Sequence, residues 1–160
     1  MKKISQLTDG EIKQLVGLLK KVQLPAPYPV FVALLKSVPV VPVDIAIMPD
    51  KNHILLTSRN DEFYKGWHVP GSILLYKEKL GHCAMRVAEK ELGLVSKDLK
   101  HLRFETHFEY FDTREHGITM FFTAQAKKKS RAGTYFPLDK IPKNFLKEQL
   151  VEINYLKNLR

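Results

Sequence analysis

Apolar residues in the first part of the chain recur at the spacing of one helical face. Thr8 is followed three residues later by Glu11, a capping-box pair that predicts where this helix begins. The apolar positions that define the face are Ile12, Leu15, Val16 and Leu19. Proline does not continue a helix, so we expect the element to end at Pro25 and Pro27.

Shorter apolar runs in the middle of the chain predict β-hairpins. Residues 42–48 and 53–59 flank the turn sequence PDKN, and together they predict an antiparallel pair of strands. Residues 99–112 and 117–126 flank the polar sequence TREH and predict a second, longer hairpin. The intervening WHVPGS predicts a strand that runs into a turn, and the ILLYKEK that follows it is compatible with strand or loop.

Three further helices are predicted around these strands. Residues 29–38 form a short helical stretch that Pro39 stops, and Leu80–Leu92 is followed by Gly93, a common helix terminator. Residues 143–159 predict a C-terminal amphipathic helix, and its apolar face carries Phe145, Leu146, Leu150 and Ile153. This order of elements predicts an α/β fold in which helices cover both faces of a mixed sheet.

Size, charge and cysteine content narrow the class of protein. A chain of 160 residues suits one domain, and its formal net charge of +9 favours an anionic partner. The lysine-rich AKKKSR has no aromatic RNA-binding motif beside it, which argues against nucleic acid as that partner. The single cysteine, Cys83, suits a reducing, cytoplasmic location. Charged residues and prolines interrupt the most apolar stretch, so we expect no membrane span.

The stretch from Gly66 to Leu94 carries the residues that point to a chemistry. Its sequence, GWHVPGSILLYKEKLGHCAMRVAEKELGL, resembles the Nudix box, a loop–helix–loop motif with fixed spacing of glycine, glutamate and arginine. Anchoring the motif on Gly93 places Glu78, Arg86 and Glu91 in register. The resemblance implies a Nudix-type α/β/α sandwich, a Mg²⁺ cofactor, and a structural pair in which Glu78 and Arg86 fix the loop to the helix.

Three positions of the motif carry other residues. Ser72 replaces a glycine, Val87 replaces a glutamate, and Lys90 replaces the first acid of a Glu-Glu pair. Positions 87, 90 and 91 are three and four residues apart, so we expect them to share one side of the helix. Members with the full motif gather Mg²⁺ there with three carboxylates, whereas this chain keeps only Glu91. Lys90 is then either a solvated helix residue or a cation placed near a substrate phosphate.

A wider similarity, over about residues 38–126, connects the chain with GDP-mannose mannosyl hydrolases and related bacterial Nudix proteins. That branch also lacks the first acid of the helix and keeps the last glutamate. The resemblance implies one Mg²⁺ held by Glu91 and the carbonyl of Gly71, a diphosphate facing Arg59, and a strand acid at Asp44. The residues that it implies for catalysis are Arg86, Glu91 and Asp44.

The general base is not identified by this resemblance. The branch uses a histidine in the late loop before the final helix, and the corresponding residues 127–142 contain none. His116, in the turn of the second hairpin, is the nearest candidate in sequence for a contact with substrate. Structural roles are equally open for Asp44 and Arg59, which could lie on solvated strand positions.

Three functions are compatible with these residues. The first is a hydrolase of a nucleoside diphosphate sugar or a related compound, with a GDP-mannose-type substrate favoured. The second is a pyrophosphohydrolase with a reduced metal site, and the third is a catalytically weak or inactive module that binds a nucleotide or a partner protein. We expect a small nucleoside diphosphate derivative as partner and leave a homodimer open. The resemblance implies one Nudix-like domain over 1–160, with a helical extension at 1–37 and a core at 38–160.

Overall fold

A computed structural model of the chain describes residues 7–22, 26–112 and 114–159. Pro25, one of the two prolines expected to end the first helix, lies outside the described residues. The chain divides into two compact units, Met1–Leu34 and Leu35–Arg160.

The first unit contains the helix that the sequence predicts from its capping box. Helix α1 spans Asp9–Leu19, and Thr8 is its N-cap. The backbone N–H of Glu11 donates to the Thr8 hydroxyl at 3.4 Å, and the Thr8 N–H donates to the Glu11 carboxylate at 2.7 Å. A second helix, α2, spans Tyr28–Leu35 and so ends three residues before the predicted limit.

The second unit is built on a mixed sheet of seven strands, with the order β3-β2-β1-β6-β5 and with β4 beside β1 and β7 beside β2. The strands are β1 Pro42–Asp50, β2 His53–Asn60, β3 Lys65–His68, β4 Gly71–Ile73, β5 Leu99–Phe111, β6 His116–Ala126 and β7 Thr134–Pro137. Both predicted hairpins are present as the antiparallel pairs β1–β2 and β5–β6. The parallel pairing of β1 with β6 joins the two hairpins and makes the sheet mixed.

Helices cover both faces of this sheet, as the order of elements predicts. Helix α3 spans Leu80–Leu92, and helix α4 spans Leu150–Asn158. Side chains alternate along β1, so that Val43, Ile45 and Ile47 pack with α3 in one hydrophobic cluster. Ala46 belongs to a second cluster that includes α4 residues. The chain is therefore an α/β protein with a mixed sheet between two helical layers.

Two segments near the C-terminus differ from the prediction. The region 127–142, expected to be a loop, contains the short strand β7, whose four residues are too few to give a periodic signal. The C-terminal helix begins at Leu150 rather than at residue 143, after a single 3₁₀ turn. Its buried side is also rotated from the predicted one, because Leu150 is 43% exposed whereas Glu152 is buried.

A helix that crosses a membrane must be both long and apolar. Within residues 7–22, 26–112 and 114–159, none of them has the length and apolar character that crossing a membrane requires.

Candidate active site

The loop that precedes α3 is held to that helix by an ion pair between Glu78 and Arg86. The guanidinium donates from Nε to Glu78 Oε1 at 2.7 Å and from a terminal nitrogen to Oε2 at 2.8 Å. It also donates to the Ser72 hydroxyl and the Ile73 carbonyl, each at 3.1 Å. Arg86 thus ties β4 and the loop to the helix, and the pairing expected from the sequence spacing is present.

The electrostatics of this pair favour the charged forms of both partners. The hydrogen bonds from Arg86 lower the pKa of Glu78 to about 2, and Glu78 raises the pKa of Arg86. At the other end of α3, Gly93 adopts a left-handed conformation with φ of 66° and caps the helix. The helix therefore has a fixed start and a fixed end, which sets the position of the residues in its last turn.

Glu91 lies in that last turn and meets the turn between β3 and β4. Its carboxylate accepts a hydrogen bond from the backbone N–H of Gly71. Burial raises the pKa of Glu91 to about 7, and the neighbouring Asp44 contributes to this rise. Gly71 thus offers its N–H to Glu91, and the role of its carbonyl as a Mg²⁺ ligand stays a prediction.

Asp44 approaches the same turn from the opposite strand. It is the register partner of Gly71 in the β1–β4 pair. A Cβ added at Gly71 would lie 1.7 Å from Asp44 Oδ1, so only glycine leaves room for this carboxylate. Burial raises the pKa of Asp44 to about 6. Asp44 and Glu91 thus form a pair of desolvated carboxyl groups on either side of Gly71.

Residues from the C-terminal segment support Asp44, and the sequence analysis did not identify them. The Gln149 side-chain amide donates to Asp44 Oδ2 at 2.8 Å and accepts from the Val69 N–H at 2.8 Å. Glu152 is 2% exposed and hydrogen-bonds to Asp44. Burial, with the adjacent carboxylate, raises the pKa of Glu152 well above its ordinary value. Because two carboxyl groups can share a hydrogen bond only through a proton, this contact holds a proton beside Asp44.

Arg59 supplies the positive charge nearest to these carboxyl groups. Its charge lowers the pKa values of both Asp44 and Glu91, against the stronger effect of burial. Its guanidinium donates to the Asp61 carboxylate and lies 4.7 Å from the centre of the Tyr64 ring. The structure therefore brings together Asp44, Glu91, Gly71 and Arg59, four residues that the sequence analysis selected from three separate segments.

Three other selected positions lie differently. Val87 is 1% exposed and packs in the hydrophobic cluster under α3, so the side of the helix that it shares with positions 90 and 91 is only partly open to solvent. Lys90 is exposed, and among the described residues no ion pair or side-chain hydrogen bond involves it. His116 donates from Nε2 to the Glu109 carboxylate at 2.9 Å and stacks on Phe111. Its role as a substrate contact stays a prediction.

A divalent cation such as Mg²⁺ is bound in proteins mainly by oxygen ligands. Among the described residues, no group of three or more histidine, cysteine, aspartate or glutamate side chains is arranged to hold a metal. Mg²⁺, however, is commonly bound by one or two carboxylates together with substrate phosphates and water. The charge of Asp44 raises the pKa of Glu91, and a cation beside these carboxyl groups would relieve that repulsion. The residues therefore fit a Mg²⁺ ion that binds together with substrate.

The chain resembles one family of known proteins over most of its length. The model of the NUDIX domain matches residues 38–153, which is most of the chain. The chain belongs to the Nudix family. The loop and α3, which resemble the Nudix box in sequence, lie inside the matched residues, and so does the ion pair between Glu78 and Arg86.

Solved structures of Nudix proteins share the fold. A MutT NUDIX hydrolase from Burkholderia pseudomallei matches with a TM-score of 0.63 at 23% identity, covering 73% of this chain and 97% of that one. The MutT protein from Methanosarcina mazei Go1 gives a TM-score of 0.63 at 16% identity, covering 76% and 94%. A NUDIX hydrolase from Nitrosomonas europaea gives 0.61 at 13% identity, covering 76% and 90%. No curated protein sequence matches this chain.

Proposed function

We propose that this Nudix protein is a Mg²⁺-dependent hydrolase of a nucleoside diphosphate-linked compound. The observation that carries the proposal is the pair of carboxyl groups at Gly71, the buried Asp44 and the half-buried Glu91, with the charge of Arg59 acting on both. Two carboxylates and a guanidinium at one turn suit a diphosphate and its cation. Family membership supports the class of substrate.

Each residue has a distinct part in this proposal. Glu91, with Asp44 close by and Gly71 between them, would hold the Mg²⁺ ion, which neutralises charge on a leaving diphosphate when it is bound. Arg59 binds the diphosphate oxygens, since a guanidinium matches their geometry. Arg86 positions Glu91 indirectly, because its bonds to Glu78 fix the loop and helix. Asp44 would face the same ion, which would keep its carboxylate ionised although burial raises its pKa to about 6.

Within this class we propose a nucleoside diphosphate sugar of the GDP-mannose type as the first substrate to test. The support is the resemblance of about residues 38–126 to that branch, including the missing first acid of the helix. We also propose that 38–160 form the catalytic core and 1–37 a helical extension, since the family model begins at residue 38. A cytoplasmic location is proposed because Cys83 is a free, buried thiol.

A second candidate function is a nucleotide-binding module with weak or no catalysis. The observation that favours it is that only one of the three carboxylate positions of the motif on α3 keeps its acid, while Val87 is buried in the core and Lys90 is exposed. Such a protein would bind the same diphosphate through Arg59 without turning it over.

A substrate screen separates these candidates. The protein would be incubated with nucleoside diphosphate sugars and nucleoside triphosphates, with Mg²⁺ or with EDTA, and free sugar and phosphate would be measured separately. Release of free sugar together with the nucleoside diphosphate supports C–O cleavage as in the mannosyl hydrolases, and release of the nucleoside monophosphate together with sugar 1-phosphate supports P–O cleavage. Tight binding without either product supports the binding module.

A further inference from the structure

A cavity of about 480 Å³ lies between the start of β3, the end of β5 and the segment 143–148. None of the carboxyl groups assigned above to the active site lines it. Its basic side chains are Lys65, Lys143 and Lys147, and its aromatic side chains include Phe63, Tyr64 and Phe111. A basic cavity with aromatic walls suits a ligand that carries both negative charge and a flat ring.

The three lysines of this cavity form no ion pair with a carboxylate among the described residues. All three are exposed, and among the described residues none forms an ion pair or a side-chain hydrogen bond. Asp112, an acid of the cavity wall, already accepts from the Tyr64 hydroxyl and from the backbone N–H groups of Arg114 and Glu115. Glu148 is the other lining acid. The three lysines outnumber the two lining acids, and none of the three is held in an ion pair among the described residues, which favours an anionic ligand.

Phe111 offers an aromatic surface at the edge of this cavity. It is 73% exposed, which is unusual for so large an apolar side chain. One face of its ring stacks on His116, with ring centres 4.4 Å apart and an angle of 27° between the planes. The opposite face is left for another flat ring. Stacking on an aromatic side chain is a common way to bind a nucleobase.

Tyr64 connects the cavity with the active site. The guanidinium of Arg59 lies 4.7 Å from the centre of the Tyr64 ring, while Tyr64 itself lines the cavity. The same Arg59 acts electrostatically on Asp44 and Glu91. A diphosphate bound at Arg59 would therefore lie beside the wall of the cavity. The nucleoside end of such a substrate could then enter the cavity.

We propose that this cavity binds the nucleoside half of the substrate, with the base stacked on Phe111 and with Lys143 and Lys147 attracting the phosphates. The inference rests on the proposed function, because that function places the diphosphate at Arg59. The nucleoside then lies in the cavity that Tyr64 lines, and the other half of the substrate lies near Asp44 and Glu91.

The test measures binding without turnover. GDP and inorganic pyrophosphate would each be titrated by calorimetry in EDTA at low ionic strength, into the wild type, Phe111→Ala and the matched control Phe104→Ala. Phe104 lies on the same strand, is 46% exposed and also contacts one ring, that of Phe122, in an edge-to-face arrangement. We expect Phe111→Ala to weaken GDP binding about tenfold and to leave pyrophosphate binding unchanged. The control is expected to change neither.

A second pair of variants tests the charges. Lys143→Ala combined with Lys147→Ala is expected to weaken GDP binding and to reduce its salt dependence. Lys100→Ala combined with Lys157→Ala removes the same charge from exposed positions outside the cavity and is expected to have little effect.

The outcomes separate this inference from the proposed function. The inference is overturned if the wild type does not bind GDP, or if Phe111→Ala binds GDP as the wild type does. If GDP binding depends on Phe111 but no substrate is hydrolysed with Mg²⁺, the inference stands and the hydrolase proposal fails. If substrates are hydrolysed and Phe111→Ala retains full GDP affinity, the hydrolase proposal stands and this inference fails.

Discussion

Replacing Glu78 with glutamine tests whether the ion pair with Arg86 holds the active-site loop. The pair lowers the pKa of Glu78 from 4.5 to about 2, which corresponds to about 3 kcal/mol of interaction. This is an upper bound for stability, because the side chains of Arg86 and Glu78 remain 20% and 14% exposed and water screens part of the attraction. Glutamine keeps one acceptor oxygen but loses the charge. We therefore expect Glu78→Gln to lower the free energy of unfolding by about 2 kcal/mol.

The assay is urea unfolding followed by the fluorescence of Trp67, the only tryptophan of the chain. In thermal unfolding, the same loss of about 2 kcal/mol corresponds to a decrease in Tm of roughly 4–8 °C for a domain of this size. Glu89→Gln is the matched control, because Glu89 is an exposed acid of α3 with no partner among the described side chains. We expect the control to change stability by less than about 0.5 kcal/mol.

The dependence on pH gives the same prediction a second test. The pKa of Glu78 is lower in the folded chain than in the unfolded one, so its stabilisation is complete above about pH 4.5 and is lost as the pH falls towards 2. The difference between wild type and Glu78→Gln should therefore narrow below pH 4.5, by about 1.4 kcal/mol for each pH unit. A difference that is absent at pH 7, or that does not change between pH 7 and pH 3.5, would refute the reasoning.

Two further substitutions test the turn and the last turn of the helix. Gly71→Ala is expected to destabilise the fold by about 1–3 kcal/mol in thermal unfolding, because its Cβ would lie 1.7 Å from Asp44 Oδ1. Gly81→Ala, which has open space around its Cβ, should stabilise α3 by about 0.5–1 kcal/mol; equal effects of the two substitutions would contradict the close approach at Gly71. Lys90→Glu is expected to tighten Mg²⁺ binding severalfold in calorimetry with nucleotide present, since it reverses a charge next to Glu91. Unchanged affinity would mean that Lys90 lies too far from the ion to act on it.

The elements with local signals could be predicted from the sequence. Helix α3 occupies Leu80–Leu92 as predicted, because its apolar positions are periodic and Gly93 provides a left-handed stop. The pair of Glu78 and Arg86 was implied by the resemblance to the Nudix box, because both residues keep its spacing. Both features depend on neighbours in sequence, which a pattern can show.

The support of Asp44 depends on contacts that a local pattern does not contain. Gln149 is 105 residues away from Asp44, and only the packing of α4 against the sheet brings the two together. The sequence did contain one signal for the burial of Glu152. This acid lies four residues before Leu156, on the side of α4 that is buried in the structure. The prediction assigned that side to Leu150 instead and so missed it.

The position of Val87 shows the same limit inside the motif. Spacing alone places it on the side of Glu91, but the twist of the sheet and the depth of α3 decide how much of that side is open. In the structure Val87 packs in the core while Glu91 reaches the Gly71 turn. The change from glutamate to valine is therefore a gain of core packing as well as a loss of a metal ligand.

The most direct test of the central claim is the effect of Glu91→Gln on hydrolysis under Mg²⁺ titration. Product release from the substrate found in the screen would be measured for the wild type, Glu91→Gln and the control Glu89→Gln. We expect Glu91→Gln to lower kcat/KM by about a hundredfold or more and to need higher Mg²⁺ for half-maximal rate, with Glu89→Gln close to the wild type. If Glu91→Gln hydrolyses the substrate at the wild-type rate with the same Mg²⁺ dependence, the active site does not lie at the turn formed by Asp44, Gly71 and Glu91.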